Sequence, residues 1–456
     1  MSERTEAVPV PPASFDRREY RRILASSFLG TAVEYYDFVL YGAAAALVFG
    51  PLFFAGQSPA TALILSFATF AVGYLARPLG SVIFGHLGDR VGRKSTLVLT
   101  MSIMGVASTL MGLLPTSAQI GALAPVLLLL LRIVQGLAVG GEWGGGALMG
   151  LESAPPGERG FGASAVTMGS PAGSMTAALT FGAFAALPED QFLSWGWRVP
   201  FLLSAVLLGI ALFVRLRIAE SPMFVAAQAR AEAQSKERRA PIMVVLTRYR
   251  RAVLLTALVS FAAFVHSSFY STFALSAART SGTGAALVLV TSAAAGFVMI
   301  FGVIFFARLS DRIGRRPVLL IGCGISLVMA VPYVLLLTSG NWAGVLVAFV
   351  LTGLTQAALY GPLAAFISEQ FETSVRYTGA GLTYQIGAVL AGFTPIVSTA
   401  LWGLGQNVFG AEGSMQYAFV AGFIVCGTLI SLGALQFVAD TRQRVLEPGV
   451  DAPVSA

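Results

Sequence analysis

Five charged side chains of this sequence sit inside long apolar runs: Glu34 and Asp37 in the first, Arg77 in the second, Arg132 and Glu142 in the fourth. A charge at the centre of a bilayer costs at least ~2.5–3.5 kcal/mol on insertion scales, so such residues are expected to face a shared polar cavity and to pair. Glu34 and Asp37 are three positions apart and therefore share a helix face. Three carboxylates stand against two guanidiniums, and a guanidinium keeps its charge at any physiological pH. One acid is in excess, and an uncompensated acid in a low-dielectric cavity is the group that can take up and release a proton. Asp37 and Glu34 lead as proton sites, with Glu142 next. Arg77 and Arg132 have a second use, because a forked cation suits a substrate carboxylate.

Aromatic and amide groups in the same runs extend the candidate cavity. Tyr36, Trp143, Tyr270, Tyr360 and Tyr384 with Gln385 could stack on a ring-shaped substrate and hydrogen-bond its hydroxyls. The same residues also suit helix packing or interfacial anchoring. His266 lies mid-run and is expected to line the pore, since polar groups inside a membrane face water or protein. His86 falls in a polar gap, and neither histidine has the company a metal site needs. No metal and no bound cofactor are expected. No GxxxxGK[ST] segment supports pumping by ATP, and no nucleophile–base–acid grouping points to an enzyme.

Two ten-residue stretches are near copies. Gly85–Lys94 reads GHLGDRVGRK and Ala307–Arg316 reads ARLSDRIGRR, with Asp89 and Asp311 lying 222 residues apart in a chain of 456. Glu152 with Arg159 and Glu369 with Arg376 form a second repeated pair, offset by 217. Glycine permits a tight turn at a helix end, and aspartate in such a turn can meet the positive end of a helix dipole. The chain is two similar halves, the plan of a secondary transporter.

The elements that must position these residues follow from composition. Mean hydropathy is +0.78, and 56% of residues are hydrophobic while 11% are charged. Twelve apolar runs fall at approximately 24–50, 61–87, 95–115, 121–150, 161–187, 198–218, 249–276, 284–308, 317–338, 342–369, 376–402 and 415–438. Crossing a bilayer takes about 20 apolar residues per helix, and continuous rather than alternating runs imply helices, not a barrel. With the N-terminus placed inside, 25 of the 29 Lys and Arg fall in cytoplasmic segments, Arg198 and Arg279 fall outside, and Arg77 and Arg132 lie within spans. That asymmetry is the positive-inside rule, so both termini are expected in the cytoplasm, and the net charge of +7 does not point to nucleic acid. Residues 1–20 lack an apolar signal core, so no cleavage is expected. Cys323 and Cys426 are expected as buried small residues rather than a disulfide.

The repeated GHLGDRVGRK and ARLSDRIGRR segments resemble the signature of the major facilitator superfamily, between spans two and three and again between eight and nine. The resemblance implies that Asp89, Arg93, Asp311 and Arg315 latch two helical bundles on the cytoplasmic side. Glu152 with Arg159 and Glu369 with Arg376 match the partner segment after spans four and ten. VEYYDF at 33–38, RPLG at 77–80, RIVQGLAVGGEWGGG at 132–146, QFLSWGWR at 191–198 and VRYTGAGLTYQ at 375–385 look like the metabolite:proton symporter family, most like its shikimate-type branch. That family carries shikimate, α-ketoglutarate, citrate and other carboxylates, or proline and betaine. The resemblance places Arg132 in a segment associated with proton coupling. FVHSS at 264–268 departs from a shikimate carrier, which leaves the substrate open.

The expectation is an all-α integral membrane protein of twelve transmembrane helices in two pseudo-symmetric six-helix bundles. An arm spans 1–23, the first bundle 24–218, a cytoplasmic linker 219–248, the second bundle 249–438 and a tail 439–456. Within the linker, Ala226 to Arg239 reads as a surface helix. The expected activity is proton-coupled uptake of a small organic acid at the plasma membrane by a monomer, energised by the proton gradient. Three alternatives are an osmolyte symporter for proline or betaine, an exporter using the Ser170-Pro171-Ala172-Gly173 segment, and a receptor, which would need a sizeable soluble domain.

Overall fold

The structure is a computed structural model; it describes residues 16–220, 225, 241–269, 273–274, 277–278, 282, 285–410 and 413–441. Those residues form helices and their connections. We number the long ones α1 (Arg17–Leu47), α2 (Pro59–Val91), α3 (Arg93–Leu113), α4 (Leu123–Glu152), α5 (Arg159–Ala185), α6 (Arg198–Leu216), α7 (Arg250–Ser268), α8 (Ala285–Ile313), α9 (Arg315–Leu337), α10 (Trp342–Tyr360), α11 (Arg376–Gly392) and α12 (Ala418–Leu435). Leu363–Ser368 continues α10, and Thr394–Phe409 continues α11. Among the described residues nine helical segments are long and apolar enough to cross a membrane. The other three expected runs correspond to α1, α5 and α11, whose sequences are richer in polar and small residues. The first helix begins before the apolar run at 24, because Asp16 caps it by accepting from the Arg18 N–H at 2.8 Å. The expected surface helix at 226–239 lies outside the described residues.

Helices α1 to α6 pack together, as do α7 to α12, and the two sets meet along α2 against α11 and α5 against α8, with α4 also touching α11. These contacts are related by the sequence repeat, since α2 corresponds to α8 and α5 to α11. The burial pattern inverts that of a soluble protein. Leu75, Leu79, Phe297, Phe301 and Val328 face outward, while Arg93, Arg215, Arg315 and Arg376 are fully buried. Such a surface suits lipid.

Glycine sets how closely α2 and α4 cross. A Cβ on Gly80 would run into the Leu137 carbonyl, and one on Gly140 would run into the Arg77 carbonyl. Small residues give such close approach between membrane helices. The result is that Arg77 and Arg132 sit beside the same seam. Gly173 approaches the backbone of α1 at Ala32 in the same way, so the Ser170–Gly173 segment is used for packing α5 on α1. Cys323 is buried, and Cys426, expected to be buried, is exposed on α12.

Candidate functional site

The repeated turns are built alike. Gly92 (φ 126°) and Gly314 (φ 109°) adopt a conformation that L side chains avoid, and so break α2 from α3 and α8 from α9. Each turn aims an aspartate at the other bundle. Asp89 accepts from the N–H of Tyr377 at 3.2 Å and of Thr378 at 3.0 Å, and from the Thr378 hydroxyl at 2.8 Å. Asp311 accepts from the N–H of Gly160 at 2.7 Å and of Phe161 at 3.0 Å. These amides open α11 and α5, where backbone donors are otherwise unsatisfied and the dipole is positive.

Arginines tie the aspartates to the partner segments. Arg93 lies 3.6 Å from both Asp89 and Glu152, and Arg376 donates to Glu152 at 3.1 Å across the two halves. Arg315 pairs with Asp311 at 2.7 Å and with Glu369 at 2.9 Å. Arg159 is half-buried at the head of α5, beside Gly160. All eight residues expected at the gate therefore stand at this one face. Sequence reasoning missed the acids that brace it. Asp440 accepts from the N–H groups of Arg315 at 3.3 Å and Arg316 at 3.2 Å, and Glu220 accepts from the Lys94 N–H at 3.1 Å. Both follow the last helix of a bundle, and both cap the helix after a repeated turn. The 220-residue spacing of Glu220 and Asp440 was the available signal.

Deeper in, Arg77 lies 3.6 Å from Glu34. Its guanidinium covers the ring of Tyr74 at 4.5 Å and of Phe38 at 5.4 Å, contacts that stabilise a cation away from water. The second bundle contributes Tyr360 and Tyr384, with hydroxyls 3.3 Å apart and with Tyr35 and Ser267 beside Tyr360. Trp143 of α4 stacks on Tyr384 of α11 at 3.7 Å, and Phe264 meets Tyr384 edge-on at 4.8 Å. A charged pair from one bundle thus faces a tyrosine cluster from the other.

Asp37 reaches different partners from Glu34, although the two share a face. It accepts from the hydroxyls of Ser108 at 2.5 Å and Ser204 at 2.6 Å. Gln135 donates to Ser108 at 2.6 Å, and Arg132 donates to Gln135 at 2.5 Å. Arg132 also lies over the ring of Tyr41 at 4.1 Å. Asp37 and Arg132 are therefore joined through two neutral side chains, and no ion pair within 4.0 Å joins them.

Three sequence expectations change. The charge count misses Arg215, read as a cytoplasmic cation but fully buried on α6. It pairs with Glu142 at 2.6 Å, while Thr100 donates to the same carboxylate at 3.0 Å, so three acids meet three guanidiniums and Glu142 is held by a dedicated cation. His266 does not line the cavity. Its Nε2 lies 2.6 Å from the Ser326 hydroxyl, itself 2.7 Å from that of Thr428, so it points among α7, α9 and α12. Tyr36 donates to the Pro200 carbonyl at 2.8 Å and packs within the first bundle; its neighbour Tyr35 faces the centre instead. Tyr270 lies outside the described residues. Gln385 is buried on α11 next to Tyr384.

Residues 27–395 match the model of the Major Facilitator Superfamily. The chain is 40% identical to the shikimate transporter of Escherichia coli (strain K12) over 428 residues, 93% of this chain and 95% of that one. It is 39% identical to the inner membrane metabolite transport protein YhjE of the same organism over 421 residues, 90% and 93% of the two chains. Among solved structures, the proton:xylose symporter XylE bound to 6-bromo-6-deoxy-D-glucose superimposes with a TM-score of 0.75 at 16% identity, covering 94% of this chain and 98% of that one, a likeness of fold.

Proposed function

The chain belongs to the Major Facilitator Superfamily and is a multi-span membrane transporter rather than an enzyme, and we propose that it takes up a small organic acid together with a proton by alternating access. The observation that carries this reading is the unequal pairing of the central charges: Arg77 faces a carboxylate and aromatic rings at the interface between bundles, while Asp37 is held by hydroxyls alone.

Charge bookkeeping gives the mechanism. Glu142 and Arg215 neutralise each other, leaving Glu34 and Asp37 against Arg77 and Arg132. A substrate carboxylate entering beside Arg77 adds one negative charge, and a proton on Asp37 removes one. The loaded centre is then as neutral as the empty one, and a buried net charge is what a low-dielectric interior resists most. Substrate alone or proton alone leaves the site charged, so the two move together. Ser108 and Gln135 transmit the state of Asp37 to Arg132 by reorienting a hydroxyl and an amide.

The latches set which face is shut. On the positive-inside expectation the latched face is cytoplasmic, so the conformation described is closed inward. Reorientation breaks the bonds of Asp89 and Asp311 to the two helix starts and lets one bundle rock against the other. The proton gradient across the plasma membrane supplies the energy, no bound cofactor is required, and a single chain holds the whole site. The similarity to a shikimate transporter supports a carboxylate as cargo. The test is to add candidate acids to lightly buffered, energised cells expressing the protein. Alkalinisation of the medium on addition of substrate, absent with a protonophore, supports symport; acidification would reverse the direction and refute it.

A further inference from the structure

We propose that Gln356 and Gln385 read hydroxyl groups of the cargo, which makes it a hydroxylated monocarboxylate rather than a dicarboxylate or a betaine; this rests on the central cavity being the substrate site. Gln356 is 1% exposed, and among the described residues neither its Nε2 nor its Oε1 has a hydrogen-bond partner. It lies on α10 four residues before Tyr360, one turn along the same face. Tyr360 meets Tyr384 hydroxyl to hydroxyl, and Gln385 follows Tyr384 with its own Oε1 buried and unpartnered. The indole Nε1 of Trp143, stacked on Tyr384, is unpartnered as well.

Buried polar atoms are nearly always satisfied, and leaving several unmet on the three helices that carry Trp143, Tyr360 and Tyr384 is costly. The unmet set is specific. Apart from Glu34 Oε2, whose carboxylate faces Arg77, it holds donors at Gln356 Nε2 and Trp143 Nε1, and acceptors at Gln356 Oε1 and Gln385 Oε1. Turning the Gln356 amide over leaves one donor and one acceptor unpaired either way. An ionised carboxylate only accepts hydrogen bonds, so a second carboxylate could serve the donors and not the two carbonyl oxygens. A quaternary ammonium has no N–H to offer them. A hydroxyl both donates and accepts, so two ring hydroxyls satisfy the set while the single carboxylate goes to Arg77. Sites built to hydrogen-bond a substrate hydroxyl reject the analogue that lacks it.

The test compares shikimate, which has three ring hydroxyls, with its deoxy analogue cyclohexene-1-carboxylate, α-ketoglutarate and glycine betaine. Binding to the purified full chain is measured by thermal shift and competition, without a proton gradient, and uptake is measured separately in proteoliposomes. The wild type should bind shikimate at least about tenfold more tightly than the deoxy acid, the factor that one buried hydrogen bond of about 1.4 kcal/mol supplies. Gln356→Met and Gln385→Met, which keep side-chain length, should each remove most of that preference and leave the deoxy acid bound as before. The proposal is overturned if the wild type prefers the deoxy acid, α-ketoglutarate or betaine, if it binds none of the four, or if the variants weaken both acids in parallel. Hydroxyl-dependent binding together with uptake indifferent to the pH gradient would support these two residues while removing proton coupling, so the two readings fail separately.

Discussion

Asp89 and Asp311, 222 positions apart in the chain, make the same contact in opposite directions. Asp89 of the first bundle accepts from the backbone at Tyr377 and Thr378 of the second. Asp311 of the second accepts from the backbone at Gly160 and Phe161 of the first. Anchoring positive charge at a membrane face asks nothing of an aspartate; joining the two helix sets by a carboxylate on a helix start does.

Asp311→Asn keeps the side chain's shape and removes its charge. Each charge-assisted bond contributes about 1.5–3 kcal/mol, and the helix start adds about 0.3–1 kcal/mol. Amide hydrogen exchange at Gly160 and Phe161 should therefore rise by at least about tenfold, with the equivalent rise at Tyr377 and Thr378 in Asp89→Asn. Unchanged exchange at these four amides would show that the aspartates do not hold the face shut.

Glu142→Gln tests whether the buried pair with Arg215 is structural. Stranding a buried guanidinium costs about 3–5 kcal/mol, so the melting temperature should fall clearly, and Glu142→Gln with Arg215→Met should recover much of it. Accumulation driven by a pH gradient should persist in the double variant. Loss of coupling without loss of stability would return Glu142 to the proton pathway.

How far the sequence was legible depends on what kind of signal each residue carried. The contacts of Asp89 and Asp311 were readable because the repeat doubles their signal and both copies keep an aspartate where charge anchoring needs none. Arg215 was not, because it lies in the last turn of an apolar run next to Arg217, where headgroup cations normally lie. Its burial becomes readable only through the unmet need of Glu142 and its place four residues after buried Ala211. Tyr35 and Tyr36 are adjacent and chemically equal, and only the packing of α1 on α5 and α6 decides which one faces the centre. Glu34 and Asp37 share a face, but a difference of about 60° around the helix sends one to α2 and the other to α3 and α6. His266 looked pore-lining because polarity alone cannot tell a water-filled cavity from a hydroxyl-lined seam.

Arg77→Lys keeps the charge and loses the fork. A lysine cannot present two parallel donors to a carboxylate, so the KM for the transported acid should rise by about tenfold or more with little loss of stability. Initial rates of uptake over a range of substrate concentrations would show it. An unaltered KM would mean that the cargo carboxylate binds elsewhere.

Asp37 holds the centre of the account. In proteoliposomes with an imposed inward proton gradient, the wild type should concentrate its acid and lose that ability with a protonophore. Asp37→Asn, whose amide can still bond Ser108 and Ser204, should exchange labelled for unlabelled substrate yet accumulate none above equilibrium. Gradient-driven accumulation at the wild-type level in Asp37→Asn would contradict the proton assignment directly.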